Sequence, residues 1–168
     1  MEEIIEKVKN DLKQILSERR YEHSIGVMNM AGELAEIYNV DVETAKLAGL
    51  LHDNAKEMSE DEMLKYVEKN NIKITEFERL NVKILHGKIG ADIAKKKYGV
   101  SEQIAKAIEY HTTTSPEMDI LAKIIYVSDK VELTRKSEKF DIEPERKLAK
   151  IDLDKALLLI IDNTTKYL

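Results

Sequence analysis

Four histidines are the only imidazoles in the chain, and helical spacing places each of them on the apolar side of a predicted helix. His52 is followed directly by Asp53, after the apolar run 47–51. A buried carboxylate is normally paired or bound to a metal, because bare burial of its charge is costly. Adjacent helical residues point about 100° apart, so the pair could place two ligand atoms around one metal, or bring Asp53 to a second. The alternative for this dipeptide alone is a helix C-terminus, where the helix dipole favours an imidazolium but not an aspartate.

The other histidines and one more aspartate share this setting, which gives six candidate metal ligands: His23, His52, Asp53, His86, His111 and Asp129. A single histidine on an apolar face is more often a hydrogen-bonded core residue. Six buried polar groups from five helices all need partners, however, and one shared partner is the most economical solution. Four imidazoles and two carboxylates are too many for one four-coordinate structural zinc. They suit two metals bridged by a carboxylate and a water, and such ligands favour iron, manganese or cobalt.

A dinuclear centre of this kind makes a hydroxide at neutral pH and stabilises an in-line displacement at phosphorus. Residues near the candidate ligands could contact a phosphate or a base: Arg20, Lys56, Thr112, Thr113 and Arg135. Two alternatives stay open for them. The chain has 27 lysines and arginines, so a charge near the site could simply lie on a solvated face. The threonines could merely form the turn after the fourth histidine.

The elements that would position these residues are all predicted to be helices. They cover about 2–16, 18–39, 42–53, 60–69, 86–98, 102–111, 120–135 and 152–167, with another beginning near 76 and a helical turn at 144. Six begin after a capping residue: Ser17, Asp41, Ser59, Thr75, Ser101 and Asp119. Because strand alternation is missing, the fold class is all-α. A length of 168 residues predicts a single domain over 1–168.

The composition narrows the partners and the location. A net charge of −5 argues against a broad nucleic-acid footprint and against anionic membranes. The longest apolar run of the last predicted helix, 156–161, is far shorter than the roughly 18 residues that span a bilayer. The N-terminus lacks the pattern of a signal peptide, so the cytoplasm is the expected location. Cysteine is absent, which excludes thiolate ligands and thiol nucleophiles.

The order His23, His52-Asp53, Asp129 resembles the hallmark of the HD-domain phosphohydrolase superfamily, and His86 and His111 mark its dinuclear members. More narrowly, the chain is similar to the bacterial YqeK-type family of symmetrical diadenosine tetraphosphate hydrolases. The stretches that carry this resemblance are 20–23, 50–56, 86–87, 90–91, 111–113 and 124–132. Two positions differ from the usual pattern: Thr114 stands where the family usually has Gly, and Leu133 where it usually has Pro. Both lie beside the expected substrate mouth.

The resemblance implies an HD-domain helical bundle with a di-iron site. It assigns His23, His52, Asp53 and Asp129 to one metal, and Asp53, His86 and His111 to the other. The implied reaction is attack of a metal-bound hydroxide on a phosphorus of the tetraphosphate bridge, which releases two ADP. Asp53 and Lys56 are the catalytic residues that it implies, and Lys56 and Arg135 are the implied phosphate contacts.

Three other functions stay open at this point. A nucleotidase or another small-molecule phosphohydrolase would give a nucleoside and phosphate instead of paired ADP. A di-iron centre could instead carry out oxygen chemistry. A helical signalling or scaffold module with a vestigial site would not be an enzyme, although such modules typically lose ligands and this chain keeps all six. The oligomeric state is left open between a monomer and a homodimer.

Overall fold

The computed structural model describes residues 1–166, and over that stretch the chain forms ten α-helices and no strand, which confirms the predicted all-α class. A 3-10 turn, Val82–Leu85, joins the fifth helix to the sixth. The α-helices are α1 Glu2–Ile15, α2 Glu18–Ile37, α3 Val42–Leu51, α4 Glu60–Lys69, α5 Glu76–Leu80, α6 His86–Tyr98, α7 Glu102–Tyr110, α8 Ile120–Val131, α9 Glu143–Ala149 and α10 Leu153–Lys166.

Most helices begin where local hydrogen bonding favours a start. Six predicted capping side chains each accept a hydrogen bond from the backbone N–H three residues later: Ser17, Asp41, Ser59, Thr75, Ser101 and Asp119. Two of them, Ser59 and Thr75, form complete capping boxes with the glutamates that follow. At the C-terminal end of α6, Gly99 follows the last helical residue and adopts a left-handed conformation with φ 62°.

Helices α2, α3, α7 and α8 pack together around the main hydrophobic core. Leu34, Leu50 and Ile125 are completely buried there. Gly49 allows α2 and α3 to approach closely, since a Cβ at this position would lie 3.0 Å from the carbonyl oxygen of Val27. The inner face of α2 therefore lies beside the C-terminal end of α3.

A second, smaller core holds the segment between α3 and α6 against the main body. Its buried residues come from that segment and from α4 and α6: Ala55, Met63, Val67, Val82, Leu85 and Ile89. This cluster fixes both ends of the segment, one just after α3 and the other at the start of α6. The residues at those two ends are candidate ligands.

The structure corrects the predicted end of α8, which stops at Val131 instead of near Arg135. Glu132 turns to ψ 156°, and its carboxylate accepts hydrogen bonds from the backbone N–H and the hydroxyl of Thr134. These local bonds compete with continuation of the helix. Arg135 consequently lies in the turn beyond it, where its N–H donates to the carbonyl oxygen of Glu132 at 3.0 Å.

The third helix ends near His52-Asp53, as predicted: Leu51 is its last residue, His52 is its C-cap, and residues 52–58 form successive turns. The N–H groups of Asn54 and Lys56 bond to carbonyl oxygens three residues earlier, at 3.1 and 3.0 Å.

The predicted last residue of the final helix, Tyr167, lies outside the described residues, and the single domain over 1–168 stays a prediction. None of the described helices is long and apolar enough to cross a bilayer.

Candidate metal centre

The six candidate ligands meet in the interior of the fold, and all six are buried. They come from the second turn of α2 (His23), the turn after α3 (His52 and Asp53), the start of α6 (His86), the residue after α7 (His111) and the last turn of α8 (Asp129). Their ligand atoms form two groups, each within 4.8 Å: His23, His52, Asp53 and Asp129, and then Asp53, His86 and His111. Asp53 belongs to both groups, so its two oxygens could face two metals.

Three of the four imidazoles are oriented by the same kind of local hydrogen bond. Each directly follows the last residue of a helical segment, and each donates its Nδ1–H to a carbonyl oxygen three residues earlier. The pairs are His52 with Gly49 at 2.7 Å, His86 with Lys83 at 2.6 Å and His111 with Ile108 at 2.6 Å. A carbonyl oxygen only accepts, so Nδ1 must carry the proton. The inward Nε2 atom of each ring is therefore the atom that can take up a further proton or bind a metal ion.

These Nε2 atoms face other acceptors. The Nε2 atoms of His86 and His111 lie 3.1 Å apart, and that of His111 lies 3.2 Å from Oδ1 of Asp53. Within residues 1–166, Nε2 of the fully buried His52 has no hydrogen-bond partner, although oxygens of Asp53 and Asp129 lie 3.3 and 3.4 Å away. Acceptors gathered at such distances need a cation between them. Imidazole nitrogens and carboxylate oxygens are also suitable metal ligands, so this cluster fits a pair of metal ions.

The acid–base properties of the cluster show the same demand for positive charge. Burial alone would lower the pKa of His52, but the charges of Asp53 and Asp129 outweigh it and raise that pKa to about 10. Burial acts to raise the pKa of both carboxyls. The imidazole of His52 nevertheless holds the pKa of Asp53 well below its usual range, and Lys130 does the same for Asp129. A proton or a metal ion at this point stabilises the two carboxylates.

Glu132 is part of the site, and sequence reasoning missed it. It is completely buried, and its Oε2 accepts the Nδ1–H of His23 at 2.7 Å. Burial acts to raise the pKa of Glu132, but hydrogen bonds from His23 and Thr134 lower it overall. Two signals could have pointed to it. First, it follows Asp129 by three residues, a spacing that puts both on one side of a helix. Second, Gly26 follows His23 by the same interval, and the missing side chain there leaves room for the Glu132 carboxylate.

A cavity of about 230 Å³ opens onto four of the six candidate ligands: Asp53, His86, His111 and Asp129. Four cationic side chains border it: Arg20, Lys56, Lys130 and Arg135. Arg20 lies 3.7 Å from an oxygen of Asp53, and Arg135 donates to Oδ1 of Asp129 at 3.1 Å. Burial lowers the pKa of the Lys56 ammonium. Lys130 was not among the predicted contacts, since a lysine beside an aspartate on a helix gives no signal of its own.

The two threonines singled out by the sequence occupy different places. Thr112 borders the 230 Å³ cavity at the candidate ligands (the metal cavity). Thr113 is exposed and borders a neighbouring cavity of about 290 Å³. A second neighbouring cavity, of about 340 Å³, shares Arg20 and Arg135 with the metal cavity and adds Arg19 and Lys136. The ligand cluster therefore lies between two flanking spaces, of which one is strongly basic.

The sequence model of the HD domain matches residues 20–134, which include all six candidate ligands. This chain belongs to the HD domain family. The HD domain protein is 38% identical over 158 residues to a Bacillus subtilis protein named bis(5'-nucleosyl)-tetraphosphatase, symmetrical, covering 94% of this chain and 83% of the relative. A Staphylococcus aureus protein of the same name is 34% identical over 165 residues, covering 98% and 84%. The crystal structure of a Clostridium acetobutylicum protein, described as a predicted HD superfamily hydrolase involved in NAD metabolism, has a TM-score of 0.91 and 40% identity, covering 96% and 85%.

Proposed function

We propose that this HD domain protein hydrolyses diadenosine tetraphosphate and related dinucleoside polyphosphates symmetrically, giving two ADP from diadenosine tetraphosphate. The observation that carries the proposal is a buried cluster of four imidazoles and two carboxylates, four of which line a cavity bordered by four cations. Relatives named for the symmetrical tetraphosphatase reaction match this chain over most of its length. A polyphosphate is an anion that such a cavity favours, even though the whole chain carries a net charge of −5.

The two groups of ligands suit two metal ions that share Asp53. His23, His52, Asp53 and Asp129 would hold one ion, and Asp53, His86 and His111 would hold the other. Iron is the metal we propose, with manganese or cobalt as alternatives that the same ligands accept. When bound, the ions supply Lewis acidity toward phosphoryl oxygens and lower the pKa of a water.

The residues of the chain itself bind and orient the tetraphosphate. Hydrolysis adds a water oxygen to one of the two central phosphorus atoms and breaks the bond from that atom to the bridging oxygen. The second ADP leaves with the bridging oxygen. Arg20 and Arg135 approach the ligand cluster from its basic side, and Lys56 borders the same cavity. We assign them to the phosphate oxygens, where their charges offset the negative charge that develops as the bond breaks.

A symmetrical substrate needs room on both sides of its central bridge, and the cluster has a cavity on each side. The basic one, with Arg19 and Lys136, suits the phosphates of one half of the substrate. The other, with Thr112 and Thr113, offers hydroxyl groups to the second half. This arrangement supports a dinucleotide over a mononucleotide.

The test is a product analysis on the full chain, stripped of metal and reloaded with Fe²⁺ without oxygen, or with Mn²⁺. We expect two ADP per diadenosine tetraphosphate, separated by ion-exchange chromatography, and no turnover by the metal-free chain. His52→Ala removes the ligand whose Nε2 lacks a partner and should abolish turnover. ATP with AMP as products, or adenosine with phosphate, would contradict the proposal.

The partner that this function requires is a small nucleotide, not a nucleic acid. We propose the cytoplasm as the location, since the substrate is a nucleotide and the described helices include no membrane span. A homodimer stays a prediction, which light scattering of the purified chain can check.

A further inference from the structure

One of the four histidines is oriented differently from the other three. His52, His86 and His111 donate their Nδ1–H groups to neutral backbone carbonyls. His23 donates instead to the carboxylate of Glu132, which lies 109 residues further along the chain. A carboxylate behind a ligand histidine fixes its orientation and raises its basicity more than a carbonyl does.

The structure is built around this carboxylate. Glu132 is completely buried, and Thr134 donates to it from both its backbone N–H and its hydroxyl, the latter at 2.7 Å. Arg146 on α9 donates to the carbonyl oxygen of the same residue at 3.0 Å. On α2, Gly26 leaves the space that the carboxylate fills, because a Cβ there would lie 2.8 Å from its Cδ and Oε1 atoms.

The two groups of ligands consequently differ in negative charge. The group with His23 contains the carboxylates of Asp53 and Asp129 and has Glu132 directly behind it. The group with His86 contains only the carboxylate of Asp53, which both groups share. Arg135 and Lys130 offset part of this charge beside Asp129. The first group also offers four ligands where the second offers three, so a divalent cation gains more from the first.

We propose that Glu132 is a positioning residue that makes the two metal positions unequal, so that the position with His23 binds its ion first and more tightly. This inference rests on the proposed dinuclear centre. Glu132 acts only through the imidazole of His23. Loss of such an outer partner typically lowers metal affinity 10- to 100-fold, and here the loss should fall on one step of a two-step binding curve.

The experiment is a calorimetric titration of the metal-free full chain with Mn²⁺. The wild-type chain should show two unequal steps. Glu132→Gln should weaken the tighter step by about 10- to 100-fold and leave the weaker step within about threefold of wild type. Glu145→Gln is the matched control, because Glu145 is a second buried glutamate and bonds to Asn163 on α10. It should leave both steps within the same threefold limit.

A second variant keeps every charge in place and guards against failure of the first to fold. Gly26→Ala must displace the Glu132 carboxylate while improving the helix propensity of α2. It should also weaken the tighter step selectively. Its control, Gly32→Ala on the same helix, meets mainly the flexible side chain of Lys46 and should change neither step.

The outcomes separate this inference from the function on which it rests. A wild-type chain that binds no Mn²⁺ would overturn the metal centre and the inference together. Two equal steps in the wild type would overturn the inference alone, and so would equal weakening of both steps in Glu132→Gln. An unchanged tighter step in both Glu132→Gln and Gly26→Ala would do the same.

Discussion

Asp53 is the residue on which the two ligand groups depend equally, since one of its oxygens faces His52 and the other faces His111. Asp53→Ala should therefore weaken metal binding at both positions. His86→Ala should weaken only the position that His86 helps to form. We expect losses above about 100-fold, because removing a ligand costs more than removing an outer partner.

Metal analysis after dialysis against a weak chelator measures this difference. Asp53→Ala should retain close to no metal, whereas His86→Ala should retain about one ion per chain. Equal metal contents in the two variants would show that Asp53 does not bridge the groups.

Thr114 is one of the two positions that differ from the usual family pattern, and its backbone is strained. Its φ is 59°, in the left-handed region that disfavours a β-branched residue. Gly, the residue that the family usually has there, adopts this conformation without penalty. Thr114→Gly should raise the free energy of unfolding by about 1 kcal/mol, measured by urea denaturation. Thr113→Gly is the control, since its φ is not positive, and it should destabilise the chain slightly. A Thr114→Gly variant less stable than wild type would exclude this strain.

At the scale of elements, the helix starts could be predicted and one functionally important helix end could not. A cap such as Ser101 depends on an N–H only three residues away, so a short stretch of sequence contains all the information. The end of α8 depends on Glu132, whose carboxylate bonds both to Thr134, two residues away, and to a histidine 109 residues distant. Helical spacing cannot show the distant histidine, so it did not single out Glu132 as the point where the helix ends, and the predicted helix ran on to Arg135.

The same distinction explains what could be predicted of the site. Helical spacing grouped the six candidate ligands because each is a polar residue on an otherwise apolar face, and the structure brings those six together. The outer residues have no such contrast. Glu132 and Lys130 stand among other charges at the end of α8, and the role of Glu132 depends on what packs against it from α2 and α9.

Helix α9 stabilises the C-terminal end of α8 through a single arginine. Arg146 donates to the carbonyl oxygens of Val131 and Glu132, at 2.7 and 3.0 Å. Arg146→Ala leaves these groups without that donor, which should cost about 1–3 kcal/mol of unfolding free energy. Lys147→Ala, an exposed neighbour on α9, should change the stability by less than about 0.5 kcal/mol. Chemical denaturation of both variants makes the comparison, and equal stabilities would refute the role of Arg146.

At the scale of the whole molecule, the cluster of six candidate ligands connects distant parts of the fold as well as offering a metal site. Ligands from five parts of the chain repel or face one another without a cation, so metal binding should tie α2, α6 and α8 together. An ion at 100 times its dissociation constant stabilises the folded state by about 2.7 kcal/mol. For a chain of this length, that corresponds to a rise in Tm of roughly 5–10 °C.

Thermal unfolding with Mn²⁺ and with EDTA tests this coupling. The wild-type Tm should rise with Mn²⁺ and fall back when EDTA is added, because the unfolded chain does not hold the ligands together. Asp53→Ala should show no rise, even where its own Tm is higher than that of the metal-free wild type through relief of a buried charge. Mg²⁺ should have a much smaller effect than Mn²⁺, because it favours oxygen ligands and four of the six donors here are imidazoles. A Tm that Mn²⁺ leaves unchanged would mean that the ions do not bind the folded chain in preference to the unfolded one, because any ion that binds only the folded state raises the Tm, and the calorimetric titration checks that binding directly.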